Sequence, residues 1–341
     1  MLAFAMFPTV IQAPMAAFND HRMVIAVCEA GGLGSLPCTA RTPEEIEAEV
    51  AAVRAGTDRP FVMNFFCHRT ASPDEAVLAA WKTKLLPYYR ELGVDPNAPP
   101  PPRRRVDFDV SSCELVEKLR PAFVSFHFGL PDEELVLRVK ATGAKVISSA
   151  TTLAEARWLE SGGCDAIIAQ GSEAGGHRGM FLPESAVATQ VGTIALVAQV
   201  VDAVRVPVIA AGGIGDARGV RAVLALGAAA AQVGTAFLLC PEALTPPAHR
   251  EALRSARAET TALTNVFTGR PARSIVNRLV RELGPMALDA PEFPDASLAT
   301  QPLRATGNAD FMPLWSGQAP GLAREVSARE VTIALSAPPR S

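Results

Sequence analysis

This 341-residue sequence has no basic excess, no paired-cysteine motif, no metal-binding histidine pattern and no membrane-length apolar run, and each absence removes a class of function. With 32 Lys and Arg against 35 Asp and Glu, the formal net charge is −3 and the basic residues are dispersed, which leaves no electrostatic footprint for nucleic acid. The one basic cluster, Arg103-Arg104-Arg105, follows the prolines at 99–102 and reads as a solvated loop in extended conformation.

The six cysteines, Cys28, Cys38, Cys67, Cys113, Cys164 and Cys240, show no CxxC spacing, and most sit in apolar runs as small core residues, which suits a reducing cytosol. No HxxxH or HExxH pattern joins His127 to His177, so no metal is expected; His21, His68 and His249 read as surface or packing residues. The apolar start at 1–14 lacks a basic leader and a small-residue cleavage site, and no later apolar run reaches spanning length. The expectation is a soluble, cytoplasmic protein with no membrane partner, acting as a monomer or homodimer.

What is present is ample apolar material and a β/α rhythm. Hydrophobic residues make up 49% and charged residues 20%, enough for a large core without global disorder. Apolar strand-like runs at 10–15, 33–38, 61–66, 123–129, 145–150, 165–171, 207–214 and 230–239 alternate with helical stretches at 21–30, 42–55, 111–119, 132–142, 153–161, 192–204 and 216–226. Eight continuous apolar strands argue for a parallel sheet covered on both faces and closed as an α/β (β/α)8 TIM barrel. The connection from Thr70 to Arg105 is enlarged and carries its own helical stretch at 73–92. Residues 242–311 break the rhythm and read as a small inserted, mainly helical lobe, with helices at 247–257 and 274–283. Residues 1–241 and 312–341 then form the barrel, the last helix near 322–335 completing it.

In such a barrel all strand C-termini open on one face, so residues far apart in sequence converge there. The run at 170–179 after the sixth strand puts one histidine among four glycines; Gly175 and Gly176 would let the backbone approach a flat or anionic ligand, and His177 is a side chain poised near neutral pH. The alternative is a glycine-rich turn whose histidine bonds a carbonyl. Ala211-Gly212-Gly213-Ile214 ahead of a helix start, with Gln232-Val233-Gly234-Thr235 close by, reads as a phosphate cradle at the usual barrel position. The amides of Asn64 and Gln170 suit the mixed donor and acceptor edge of a flavin, or could satisfy barrel backbone instead. Gly32-Leu33-Gly34 is not a dinucleotide fingerprint, because Pro37 follows where a helix should begin.

Gln12-Ala13-Pro14-Met15, 30–34, Ser125-Phe126-His127-Phe128-Gly129, the run around His177, 211–214 and Trp315-Ser316-Gly317-Gln318 together resemble the nitronate monooxygenase family, almost end to end. The resemblance implies FMN as cofactor, contacted by Met15, Asn64, Gln170, Gly175, Gly213 and 232–235, with His177 facing the substrate side of the ring and His127 flanking the pocket. It implies oxidation of an alkyl nitronate, such as propionate 3-nitronate, by O2 to a carbonyl compound and nitrite through one-electron transfer. His177 would donate to the anion, or act as general base toward a neutral nitroalkane. A related flavin barrel, an FMN-dependent enoyl-acyl carrier protein reductase using NAD(P)H, shares the glycine-rich histidine loop, and a flavin carrier without turnover is a third reading. The 70–105 connection maps onto no functional element, and no basic group for reduced flavin stands out; Arg178 is only adjacent to His177.

Overall fold

A computed structural model describes residues 6–68, 72, 74–96, 98 and 107–338. Eight parallel strands form the main sheet: β1 (Val10–Gln12), β2 (Ser35–Pro37), β3 (Val62–Phe66), β4 (Phe123–His127), β5 (Lys145–Ala150), β6 (Ala166–Gln170), β8 (Val208–Ala211) and β9 (Ala230–Val233), β7 being the two-residue strand Gly176–His177 outside this ring. They follow the order β1-β9-β8-β6-β5-β4-β3-β2, and the ring closes where Gln12 N–H donates to the Leu33 carbonyl at 2.9 Å and Leu33 N–H to Val10 at 3.0 Å, just ahead of β2. The expected TIM barrel is the observed one.

Local sequence sets the helices around the ring. Asp20 caps α1 (His21–Glu29), and Thr42 with Glu45 forms a reciprocal capping box at α2 (Pro43–Gly56), whose first residue is the proline that fits that position. The others in chain order are α3 (Glu75–Glu91), α4 (Val110–Leu119), α5 (Glu133–Ala141), α6 (Leu153–Ser161), α7 (Thr193–Ala203), α8 (Ala217–Ala225), α9 (Pro247–Arg254), α10 (Arg278–Leu283), α11 (Ala296–Arg304) and α12 (Ala328–Leu335). Among the described residues no helix is long and apolar enough to cross a membrane.

Side chains alternate across each strand, so every barrel strand feeds two cores. Val10, Met63, Val124, Val146, Ile167, Val208 and Val233 pack outward against the helices, while Ile11, Val62, Phe123, Ile147, Ala166, Ile209 and Ala230 fill the interior, with Phe7 against Phe123 at 5.4 Å. Further along five of these strands the inward position turns polar: Asn64, Ser125, Ser149 and Gln232 follow two residues on, and Gln170 follows Ile168 on β6. A barrel packed solid at its lower end and polar at the strand C-termini has its site at that rim.

Residues 261–275 correct one local expectation. The helix expected over 274–283 begins only at Arg278, because Ser274 and Ile275 belong to β11 (Ala272–Ile275), paired antiparallel with β10 (Thr261–Thr264) and, on its other edge, with β7. The helix of the enlarged connection, α3, shares an apolar cluster with Val266, Phe267, Leu279, Val280, Leu303 and Phe311 through Trp81, Leu85, Tyr88 and Tyr89. The prolines at 99–102 and Arg103-Arg104-Arg105 lie outside the described residues.

His249 on α9 is fully buried, edge-on to Phe18 at 5.4 Å, and neither ring nitrogen finds a partner among the described residues, the Trp315 backbone lying outside hydrogen-bond geometry. Burial pushes its pKa down to about 4. The unfolded chain therefore takes up a proton here below its ordinary range, near 6.5, that the folded chain refuses, so stability is lost as pH falls through that window. Between about pH 7.5 and about pH 5, the stability difference between His249→Phe and the natural chain is expected to move by about 2 kcal/mol in favour of the variant. Denaturant titrations giving both chains the same pH dependence would contradict this.

Candidate active site

The strand C-termini surround a cavity of about 250 Å³. Met15, Asn64, His127, Gln170, Gly175, Gly176, His177, Gly212, Gly213, Gln232, Gly234 and Thr235 all line it, as do Phe66, Ser125, Ser149, Trp315 and Gly317. Val233 does not: one residue past Gln232 on β9, its side chain points to the opposite face and is buried among the outer core residues. Its inclusion among the cofactor contacts fails as a side-chain assignment for that reason.

His177 is held from two directions. Through its backbone it sits on β7, paired with Ala272 of β11, so β11 carries the histidine's main chain. From the barrel side, Gln170 Nε2 donates to the His177 carbonyl at 3.0 Å, while Gln170 Oε1 accepts from Gly179 N–H at 2.8 Å. His127 Nε2 meets the same carbonyl at 3.1 Å, and a carbonyl only accepts, so that nitrogen bears the proton and Nδ1 accepts from Ser149 Oγ at 2.5 Å. Both lone pairs of the His177 carbonyl are thus engaged. Gly175 makes the approach possible, since a Cβ there would stand 2.5 Å from Gly317 N. It is His127, rather than His177, whose ring bonds a carbonyl.

The His177 ring lies in an aromatic box, with Phe293 and Trp315 each at 5.4 Å, Phe128 at 6.1 Å and Phe66 at 6.2 Å between centroids. Its Nε2 meets Thr268 Oγ1 at 3.0 Å. Burial, then the neighbouring His127 ring and the guanidinium groups of Arg270 and Arg304, pushes the His177 pKa down to about 3; burial and Arg270 do the same for His127, also to about 3. Both rings are neutral at physiological pH.

The charges that act on the His177 ring are positive, while the buried Glu155 carboxylate attracts Arg178 and Arg270 from beyond ion-pair distance. Arg178 is fully buried and donates to the carbonyls of Gly171 and Gln170, each at 2.6 Å, and to Gln190 Oε1 at 2.9 Å. Arg270 stacks over the Phe128 ring at 3.8 Å and bonds the Met180 carbonyl and His68 Nδ1. Neither forms an ion pair among the described residues, and burial lowers both to about 10. Sparsely neutralised guanidinium groups beside a cavity favour an anion there. Glu173 is engaged elsewhere, accepting from Thr193 N–H and Oγ at the start of α7.

The opposite end of the cavity is backbone. Gly212 and Gly213 have φ of +115° and +69°, and the N–H groups of Gly212, Gly213, Gly234 and Thr235 meet no acceptor among the described residues. A Cβ on Gly212 would stand 2.8 Å from Thr193 Oγ1. The first turn of α8 is already served by Asp216, whose Oδ1 accepts from Arg218 N–H at 2.9 Å, so the loop glycines rather than the helix end offer donors to an anion. Thr268, Arg270 and Phe293 escape sequence reasoning: they follow β10, with no motif around them, and the pairing of β11 with β7 brings this part of the chain to His177.

Residues 1–337 match the family model described as nitronate monooxygenase. The chain is 44% identical to a protein named nitronate monooxygenase from Pseudomonas aeruginosa, over 96% of this chain and 94% of that one. It is 40% identical to one of the same name from Paraburkholderia phytofirmans, covering 96% and 90%. A crystal structure of nitroalkane oxidase from Streptomyces ansochromogenes superposes with a TM-score of 0.89 at 39% identity, covering 96% and 94%, and FabK from Thermotoga maritima with 0.72 at 26%, covering 96% and 91%.

Gly175→Ala tests the close approach of the histidine run to 315–317. The added methyl must displace the Ser316–Gly317 backbone, and a loss of about 1–3 kcal/mol in unfolding free energy is expected. An unchanged denaturant midpoint would show that the two segments are not in contact.

Proposed function

This chain belongs to the nitronate monooxygenase family, and on that premise we propose that its rim cavity binds FMN and oxidises alkyl nitronates, propionate 3-nitronate among them, with O2 to a carbonyl compound and nitrite. The observation that carries the reading is a neutral imidazole in a cavity flanked by buried guanidinium groups, together with four backbone N–H groups that meet no acceptor among the described residues.

The residues present fit that cofactor. The N–H groups of Gly212, Gly213, Gly234 and Thr235 would hold its phosphate, and Met15, Asn64, Gln170, Gly175, Gly176 and Gln232 would border the ring system. Asn64 Nδ2 bonds Ser125 Oγ at 2.8 Å, and its Oδ1 has no donor among the described residues, which leaves an acceptor for a ring N–H. Bound FMN supplies the one-electron redox chemistry, while the protein orients and shields the substrate.

A nitronate arrives already ionised, so no carbon proton has to be removed. The positive field of Arg270 and Arg304 draws it in, and His177 orients an oxygen. Phe66, Phe128, Phe293 and Trp315 crowd the imidazole and favour its unprotonated form. His127 acts through His177, as the donor that fixes its carbonyl. We assign residues 1–241 and 312–341 to the cofactor-binding barrel and 242–311 to the smaller lobe, onto which α3 packs. A cytoplasmic setting agrees with the free thiols among the described residues.

Purified protein is expected to consume O2 and release nitrite with propionate 3-nitronate. Consumption of NADPH with an enoyl thioester, and no O2 uptake with the nitronate, would reverse the reading. His177→Asn is expected to stay yellow and lose most turnover, whereas Gly213→Asp, which puts a carboxylate in the cradle, is expected to purify colourless. Full flavin content in Gly213→Asp would contradict the assigned phosphate site.

A further inference from the structure

His177 meets the surrounding protein through one of its two ring nitrogens. Nε2 stands 3.0 Å from Thr268 Oγ1, on the turn between β10 and β11, whereas Nδ1 has no partner among the described residues and is not sealed in the interior. A neutral imidazole carries a single N–H, so the bond at Nε2 decides what Nδ1 presents to the cavity. A hydroxyl that accepts from Nε2–H leaves a lone pair on Nδ1 and makes His177 a base. A hydroxyl that donates to Nε2 leaves Nδ1–H as a donor.

Thr268 has one hydroxyl hydrogen and two acceptors within reach. The Arg270 carbonyl lies at 3.4 Å, beyond the range of about 2.5–3.0 Å usual for O–H···O bonds, and Nε2 at 3.0 Å is both nearer and more basic. We propose that Thr268 donates to Nε2 and so holds His177 as its Nδ1–H tautomer, which makes Thr268 the positioning residue that turns this imidazole into a hydrogen-bond donor toward an anionic oxygen.

The surroundings agree with that role. The positive charges near the ring disfavour an imidazolium, so the donor is a neutral N–H that does not transfer its proton to the ligand. A nitronate presents two negatively charged oxygens and needs a donor, whereas a neutral nitroalkane must lose a carbon proton and needs a lone pair. The Nδ1–H tautomer therefore selects the preformed nitronate over its parent nitroalkane. This selectivity rests on the nitronate reading of the cavity; the tautomer does not.

The two are separated by histidine-labelled holoenzyme observed by long-range proton–nitrogen NMR near neutral pH, with His177 assigned from the His177→Asn spectrum. The natural protein is expected to carry the ring proton on Nδ1. Thr268→Val should move it at least partly to Nε2, and Thr268→Ser should restore it. In parallel, Thr268→Val is expected to lower kcat/KM for propionate 3-nitronate by about tenfold while narrowing the preference for nitronate over nitroalkane, and Thr268→Ser to recover most of the loss. A proton on Nε2 in the natural protein, or a tautomer unmoved in Thr268→Val, would overturn the proposal. An Nδ1–H signal in an enzyme inert toward nitronates would support the tautomer and sink the nitronate reading.

Discussion

The pairing of Gly176–His177 with β11 is the contact on which the site depends. It takes a histidine that leaves the barrel on a glycine-rich loop and fixes its main chain to a sheet built by a different part of the sequence. The barrel then grips the same residue from the other side, through Gln170 and His127 on one carbonyl. Backbone pairing alone would leave the loop free to pivot, and the two side-chain donors alone would leave the ring's other face open. Together they place the imidazole at the strand ends, within an aromatic wall of Phe66 from β3 and Phe293 and Trp315 from far later in the chain.

That placement has an electrostatic consequence. Arg178 is a fully buried cation with no carboxylate in ion-pair contact among the described residues, solvated instead by two carbonyls and an amide oxygen. Burying charge without a paired counter-ion is unfavourable unless dipoles compensate, and here two carbonyls and an amide oxygen engage all three guanidinium nitrogens, with Glu155 and Glu173 attracting it from further off. Burial first, and then the positive charge of Arg270, depresses both histidines, so the cavity is ready for an anionic ligand without any side chain changing its protonation. The N–H groups of Gly212, Gly213, Gly234 and Thr235, which meet no acceptor among the described residues, repeat the theme with backbone alone.

Most of the barrel can be read from residue order. Its strands are continuous apolar runs, and the convergence of Met15, Asn64, His127, Gln170, His177 and Gly213 follows once eight parallel strands are counted. Alternation along β9 separates Gln232 from Val233, since adjacent strand residues face opposite sides, but reading 232–235 as one cradle overlooks it. Other features had no local signature. β10 and β11 are short, and the partner strand that gives β11 its function lies about ninety residues away in a two-residue segment, so Ser274 and Ile275 look like the start of the following helix. Thr268 and Arg270 carry no motif and matter only because that sheet forms. The role of α3 was hidden likewise, since its apolar face is matched by residues after 260.

The most direct test of this arrangement is a crystal structure of the holoenzyme with a nitronate or an unreactive anionic analogue bound. The account predicts the cofactor phosphate against the loops at 212–213 and 234–235, the ligand between the ring and His177, and an anionic oxygen within hydrogen-bond distance of Nδ1. An imidazole turned away from the ligand, or a phosphate seated elsewhere, would contradict it.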